Sequence, residues 1–270
     1  MRDWLRPLHE ALDNKSDPVD FFFRDDAGWG DAELFKLLDI FADHDLPMDL
    51  AAIPMALSRA LVAELSRHRA LSSNCARIHQ HGFAHTNHEP VGRKCEFGAA
   101  REFESQRRDI ERGQQRLQDM FGSLLDPIFT PPWNRCTEVT GKSLVALGVS
   151  VLSRESSAAP LKVDGLFELP IHIDWFAHHK GHRLTRSEWT NLLADKISTY
   201  AAVGIMFHHA VMDGFEFGAT IELLEALALH PKVRTSNMAP LALKGATTAA
   251  SIAENHSALT SPCRLALTQG

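Results

Sequence analysis

From Val19 to about Leu229, short apolar runs alternate with amphipathic segments of helical period, and that alternation leaves few folds open. Val19 to Arg24 (VDFFFR) is β-prone and apolar behind Pro18, so it is expected to be a buried strand. Asp31 is placed to cap a helix to about His44, with Leu34, Leu37, Leu38 and Phe41 on one face. The same reading gives strands at Met48–Ile53, Ala76–His81, Pro127–Thr130, Val149–Ser153, Leu166–Asp174 and Val203–His208. Helices are expected over Leu57–His68, Arg101–Phe121, Thr137–Leu147, Ser187–Tyr200 and Phe217–Leu229. In Arg101–Phe121 the apolar stripe is read as Phe103, Ile110 and Leu117. Pro170 marks the sixth strand as an edge or irregular one. Repeated strand–helix units of this length imply a parallel sheet covered by helices. About seven strands suit a distorted (β/α) barrel; a doubly wound open sheet is the alternative. Residues 1–18 are expected to be a helical segment around Trp4, Leu5, Leu8 and Leu12, and 19–235 the main domain. Residues 236–270, rich in Ala, Ser and Thr, are expected to be a low-complexity, disordered tail.

Composition excludes several classes. A formal net charge of -6 argues against a nucleic-acid binder, which needs clustered Lys and Arg. No apolar run approaches the roughly 20 residues of a membrane-spanning helix. Residues 1–13 lack the continuous apolar stretch of a secretory signal, so a cytoplasmic location is expected. Cys75, Cys95, Cys136 and Cys263 are far apart and are expected to be reduced thiols. Histidine is the oddity: His79, His81, His85 and His88 form one cluster, His172, His178, His179 and His182 a second, and His208 with His209 a third.

Polar residues gather at the ends of the expected strands. In parallel β/α folds the carboxyl ends of the strands share one face, which holds the active site. Asp25 and Asp26 end the first strand. They could form a simple turn, or one could bind a metal while its neighbour serves as a general base. His81 and His85, four apart after the third strand, can converge on one ion. With Asp26 they would leave coordination positions open for water and substrate. His79, within the strand, and His88, in the following loop, compete for that role. Asp174 is the carboxylate available to hold a histidine acid in one tautomer. His208 and His209 lie on opposite faces of the last strand by alternation, which leaves open which of them faces the site. Trp29, Trp133 and Trp175 could stack on sugar rings or sit in the core.

These segments resemble the polysaccharide deacetylases, carbohydrate esterase family 4. F-R-D-D-A-G, H-G-F-A-H, F-T-P-P-W-N, I-D-W and M-F-H-H are similar, in order, to that family's five motifs, across roughly Asp20 to Asp213. The resemblance implies a distorted (β/α) barrel. It makes Asp25 the catalytic base, and Asp26, His81 and His85 the ligands of one divalent ion, with Zn2+ the usual metal. It makes His208 the catalytic acid and Asp174 the residue that tunes it. Pro131, Pro132 and Trp133 become the wall of the substrate groove, with Trp175 beside it. The implied reaction removes an acetyl group from an N- or O-acetylated sugar or polysaccharide. An amidase or esterase acting on a non-sugar acyl group, or a non-catalytic sugar-binding protein of the same fold, are the alternatives. Thr130 stands where the family has an arginine that pairs with the catalytic Asp; Arg135 or Arg24 could supply that charge. His209 stands where the family commonly has an Asp. The loop Asn87–Phe97 (NHEPVGRKCEF) lies beside the metal motif and could reach the substrate.

Overall fold

The computed structural model describes residues 3–29, 31–71, 75–180 and 183–247. The side chains of Asp31, Cys75, His178 and His179, together with His182, Cys263 and everything from 248, lie outside the described residues. The strands are β1 (Val19–Ala27), β2 (Met48–Ala52), β3 (Cys75–His81), β4 (Leu125–Thr130), β5 (Val151–Leu152), β6 (Phe167–Glu168), β7 (Ile173–Asp174), β8 (Ala202–Met206) and β9 (Val233–Thr235). The helices are α1 (Arg6–Asp13), α2 (Asp31–Asp43), α3 (Arg59–Leu71), α4 (Phe103–Phe121), α5 (Glu138–Ala146), α6 (Arg186–Thr199) and α7 (Gly214–Leu229). Eight strands run parallel in the order β6-β5-β4-β3-β2-β1-β8-β7, a distorted (β/α) barrel, and β9 pairs with the first residues of β1.

The expected sixth strand is in fact two. Its first half pairs with β5 and its second with β8, at opposite ends of the strand order. The chain between them stays extended. Leu169 and Ile171 donate to Leu152 and Arg154, and His172 then donates to Gly204. Pro170, which has no N–H, sits where the run changes partners. One stretch therefore spans the two edges that the curled sheet would otherwise expose.

β1 shows how the pleat sorts side chains. Val19, Phe21, Phe23 and Ala27 join the core beneath the helices, where Phe23 meets Phe41 of α2 edge-on at 5.1 Å. Phe22 points the other way, into a cluster inside the barrel with Ile128, Val151, Leu169, Ile171 and Met206. On α4 the buried stripe is Gln106, Ile110, Gly113, Leu117 and Phe121. Phe103, expected on that stripe and in phase with it, is the first residue of α4 and is exposed.

Residues 238–247, expected to belong to the tail, are helical. Met238, Leu241 and Ala242 follow helical spacing and fill the barrel interior against Phe22. The segment is pinned by Asp49, which is buried in β2 and accepts bonds from Met238 N (3.0 Å) and Asn237 Nδ2 (3.4 Å). Burial pushes the Asp49 carboxyl up to about 8, more than its donors and Arg77 can offset, and its Oδ1 has no partner. An acid whose folded pKa is raised costs stability as pH rises from its unfolded value, about 4, to its folded one. Asp49→Asn keeps an acceptor for Met238 and removes the ionisation. The melting-temperature difference, variant minus wild type, is therefore expected to grow between pH 4 and about 8 and then level off; a difference independent of pH would show that Asp49 is ionised in the folded protein.

Candidate active site

The carboxyl ends of the strands open into a cavity of about 440 Å³. Asp25, Asp26, His81, His85, Trp133, Asp174 and His208 all line it, although they lie on separate segments between residues 25 and 208. The Asp pair is not a turn. β1 continues through both residues, with Asp25 paired to Leu50 and Asp26 to Ala51. The pleat sends the two carboxylates to opposite faces, and at the strand end both still reach the cavity.

Asp25 is fully buried, and its carboxylate is held by three donors. Oδ1 accepts from Asp26 N at 2.6 Å, and Oδ2 from His209 N and His209 Nδ1 at 3.0 Å each. The other ring nitrogen of His209 lies 2.6 Å from the Trp29 carbonyl oxygen. Both ring nitrogens thus face acceptors, which only a doubly protonated imidazole satisfies. Burial alone would lower this histidine, but the Asp25 charge and these bonds raise it to about 9. His209 is therefore the cation beside Asp25. Arg135 instead donates to the Lys94 carbonyl. Arg24 is buried inside the barrel, donating to Thr130 Oγ1, Ser153 and Asn134 Oδ1. Burial brings Arg24 down to about 10 while Asp26, Asp25 and Asp174 oppose the fall, so it remains a cation beneath the acidic floor of the cavity.

His81 ends β3 and is buried. Its Nδ1 bonds the Thr130 carbonyl at 3.0 Å, so the proton resides there and Nε2 presents a lone pair. That Nε2 has no hydrogen-bond partner and faces Asp26 Oδ2 at 3.6 Å. Burial lowers His81 to about 4, with the charges of His85 and Arg24 adding to the effect and Asp26 opposing it, so the ring is neutral at pH 7. An imidazole lone pair facing a carboxylate, with a backbone carbonyl orienting the far nitrogen, is what a divalent ion requires. His85 follows in a left-handed turn (φ 55°), its ring 5.3 Å from His81 and 4.4 Å from Trp133. As they stand, no three His, Cys, Asp or Glu side chains among the described residues are drawn in tightly enough to enclose an ion. The donor chemistry of Asp26 and His81 nevertheless fits one, with His85 the neighbouring imidazole.

Glu96 was not singled out from the sequence. It is buried in the loop after β3 and accepts from the backbone N–H groups of Phe83 (3.1 Å), Ala84 (2.8 Å) and Thr86 (3.4 Å). It therefore shapes the His81–His85 segment from outside, and only the fold reveals this. Gly82 (φ 56°) is required there, because a Cβ would strike Glu96 and Pro132.

His208 Nε2 lies 3.0 Å from Asp174 Oδ1. Burial lowers the pKa of His208, but Asp174, Asp26 and Asp25 together outweigh this and raise it. His208 lines the cavity and His209 turns away to Asp25, which resolves the ambiguity of M-F-H-H. The competing histidines fall elsewhere: His79 is buried against Thr130 Oγ1 (2.9 Å) and His88 is exposed. Trp133 and Pro131 line the cavity. Pro132 does not; it is buried and braces Gly82. Trp175, expected beside the groove, is fully buried against Phe176, Trp189 and Phe207. Such an aromatic cluster is stabilised by packing, and Trp175 reaches no substrate from there. Cys95 and Cys136 are free thiols.

No family model matches the chain, and no curated protein matches it in sequence. Its fold does match solved structures. A polysaccharide deacetylase structure from Mycobacterium smegmatis is similar with a TM-score of 0.64 and 15% identity, over 95% of this chain and 96% of that one. A family 4 acetyl xylan esterase from Clostridium thermocellum, in complex with a cobalt ion, gives 0.55 and 13%, over 84% and 92%. A family 4 pseudoenzyme from Bacillus anthracis gives 0.52 and 10%, over 83% and 64%. Among the described residues no helix is long and apolar enough to cross a membrane. The chain has the fold of the polysaccharide deacetylases and family 4 carbohydrate esterases, the family that its five motifs resemble.

Proposed function

We propose that this protein hydrolyses an acetyl group from an N- or O-acetylated sugar, using one divalent ion, zinc in the first instance, held by Asp26, His81 and His85. The observation that carries the reading is the His81 Nε2 lone pair facing Asp26 Oδ2 across 3.6 Å in the same cavity as Asp25 and the Asp174–His208 pair. When bound, the ion supplies Lewis-acid polarisation of the acetyl carbonyl and acidifies water. Asp25 is the base that takes the proton of the attacking water. His208, kept protonated by Asp174, gives a proton to the leaving amine or hydroxyl oxygen. The backbone N–H of Trp133, in a left-handed turn (φ 55°), is the donor offered to the tetrahedral oxyanion. The indole rings of Trp29 and Trp133 give a sugar ring apolar faces to stack on.

The Bacillus anthracis pseudoenzyme shows that this fold also occurs without catalysis. Asp25 and the paired His208 favour the catalytic reading for this chain. Metal analysis of the purified protein, with acetate release measured on acetylated sugars and on simple acyl amides, tests it. Stoichiometric metal and release from the sugars are expected. His81→Ala should lose the metal and keep the melting transition; full occupancy in that variant would remove His81 from the ligand set. Metal without hydrolysis of any substrate would favour a binding role.

A further inference from the structure

One side of the cavity carries cations that neither the metal triad nor the acid–base pair uses. Arg93, from the loop after β3, and Arg135, just after β4, both line it. Burial, and after it the Arg93 charge, lower the pKa of the Arg135 guanidinium, so the two are close enough to repel. Arg135 Nε is buried without a hydrogen-bond partner. Beyond Arg135 comes Glu155, bridged to Ile171 in the run that spans the sheet edges. His172 follows, and beside it Lys196 of α6, which lowers His172 by its charge after burial has done most of the work. His172 Nδ1 accepts from Gly204 N at 3.1 Å, so its proton is on Nε2, a donor with no protein partner. Among the described residues the side chains of Arg93 and Lys196 form no ion pair and no hydrogen bond.

Two guanidiniums that feel each other's charge destabilise each other, and a buried donor without a partner is costly. An anion in the arc would relieve that repulsion and take up the unpaired donors. The acids facing it are Glu155 on the arc and Asp25, Asp26 and Asp174 at the cavity floor, of which Asp25 is paired to His209 and Asp174 to His208. On the arc itself one carboxylate, Glu155, stands against Arg93, Arg135 and Lys196, and Asp26 on the floor is a proposed ligand of the ion.

We propose that Arg93, Arg135, His172 and Lys196 form a subsite for an anionic group, a phosphate or a carboxylate, carried by the sugar whose acetyl group is placed at Asp25 and His208. This rests on the deacetylase reading and narrows its substrate to an acetylated sugar bearing a negative charge. A phosphate takes up several donors at once, and the planar forks of the two arginines suit phosphate and carboxylate oxygens alike.

Calorimetric titration of the metal-loaded full chain with N-acetylglucosamine 1-phosphate, N-acetylmuramic acid and neutral N-acetylglucosamine tests this. At least one anionic sugar is expected to bind about tenfold or more tightly than the neutral one, since a charge-assisted hydrogen bond contributes that much. Added salt should erode the difference. Which of the two binds assigns phosphate or carboxylate. The double variant Arg93→Ala/Lys196→Met, with an unchanged melting transition, should lose most of the preference. Equal binding of all three sugars, binding of none, or full preference in the double variant would overturn the subsite. The last outcome would place the anion on the metal. Acetate release in the same samples separates the two claims. Arc-dependent binding without release would keep the subsite and remove the hydrolase reading, whereas release from the neutral sugar at equal efficiency would do the reverse.

Discussion

Asp25→Asn is expected to lower acetate release by about 10²–10⁴-fold, the usual contribution of a general base, while metal content stays at the wild-type level. Asn has nearly the same shape but cannot accept the proton of the attacking water. Asp25 reaches the cavity from the opposite face of β1 to Asp26, so its loss leaves the proposed ligands in place. The substitution also disturbs the carboxylate's three donors. An amide has one oxygen, so it can satisfy either Asp26 N or the two His209 donors, and its NH2 then faces a donor on the other side. A lower melting temperature should therefore accompany the rate loss, and rates must be compared below that transition. Loss of metal together with rate would make Asp25 a ligand. An unchanged rate would remove Asp25 from the chemistry.

His209→Leu is the second large effect, and it is one of stability. Both side chains of the Asp25–His209 pair are fully buried, 3.0 Å apart. Leu fills much of the volume but leaves a buried carboxylate without its cation. Breaking one half of a buried ion pair costs about 3–5 kcal/mol. For a chain of this size that lowers the melting temperature by roughly 6–20 °C. The loss should shrink sharply when His209→Leu is made in Asp25→Asn, because no uncompensated charge then remains. The pH dependence follows in sign. His209 has a folded pKa raised to about 9, so its contribution is fully present below its unfolded value, about 6.5, and is lost as pH rises through about 9. Wild type should lose this increment over that window and the Leu variant should not. Equal losses in both backgrounds would show that packing, rather than charge, holds His209.

Much of the barrel was legible because its strands announce themselves. Five consecutive residues from Val19 are buried, as VDFFF suggests, and the helix expected over 31–44 spans Asp31–Asp43. The strand ends were legible too, so Asp25, Asp26, His81, Asp174 and His208 do share a cavity. Short elements were less so. Phe167–Glu168 and Ile173–Asp174 read as one strand because local pattern reports extended backbone and says nothing of which neighbour it pairs with. Residues 238–247 read as tail because a few apolar side chains among small polar ones have no visible partner until the barrel interior supplies it.

What the sequence by itself determined is the parallel β/α architecture, the order of the polar strand ends and the chemistry available at them, since period and residue type are local properties of the chain. Tertiary structure alone decided the partners. It gave Asp25 to His209 rather than to Arg24 or Arg135, put Trp175 in the core, set Glu96 beneath the His81–His85 loop and brought Arg93, Arg135 and Lys196 to one cavity. These are contacts between residues up to 184 positions apart. They exist only once the sheet has curled, because burial then obliges each charge and donor to find whichever partner the fold has placed within reach.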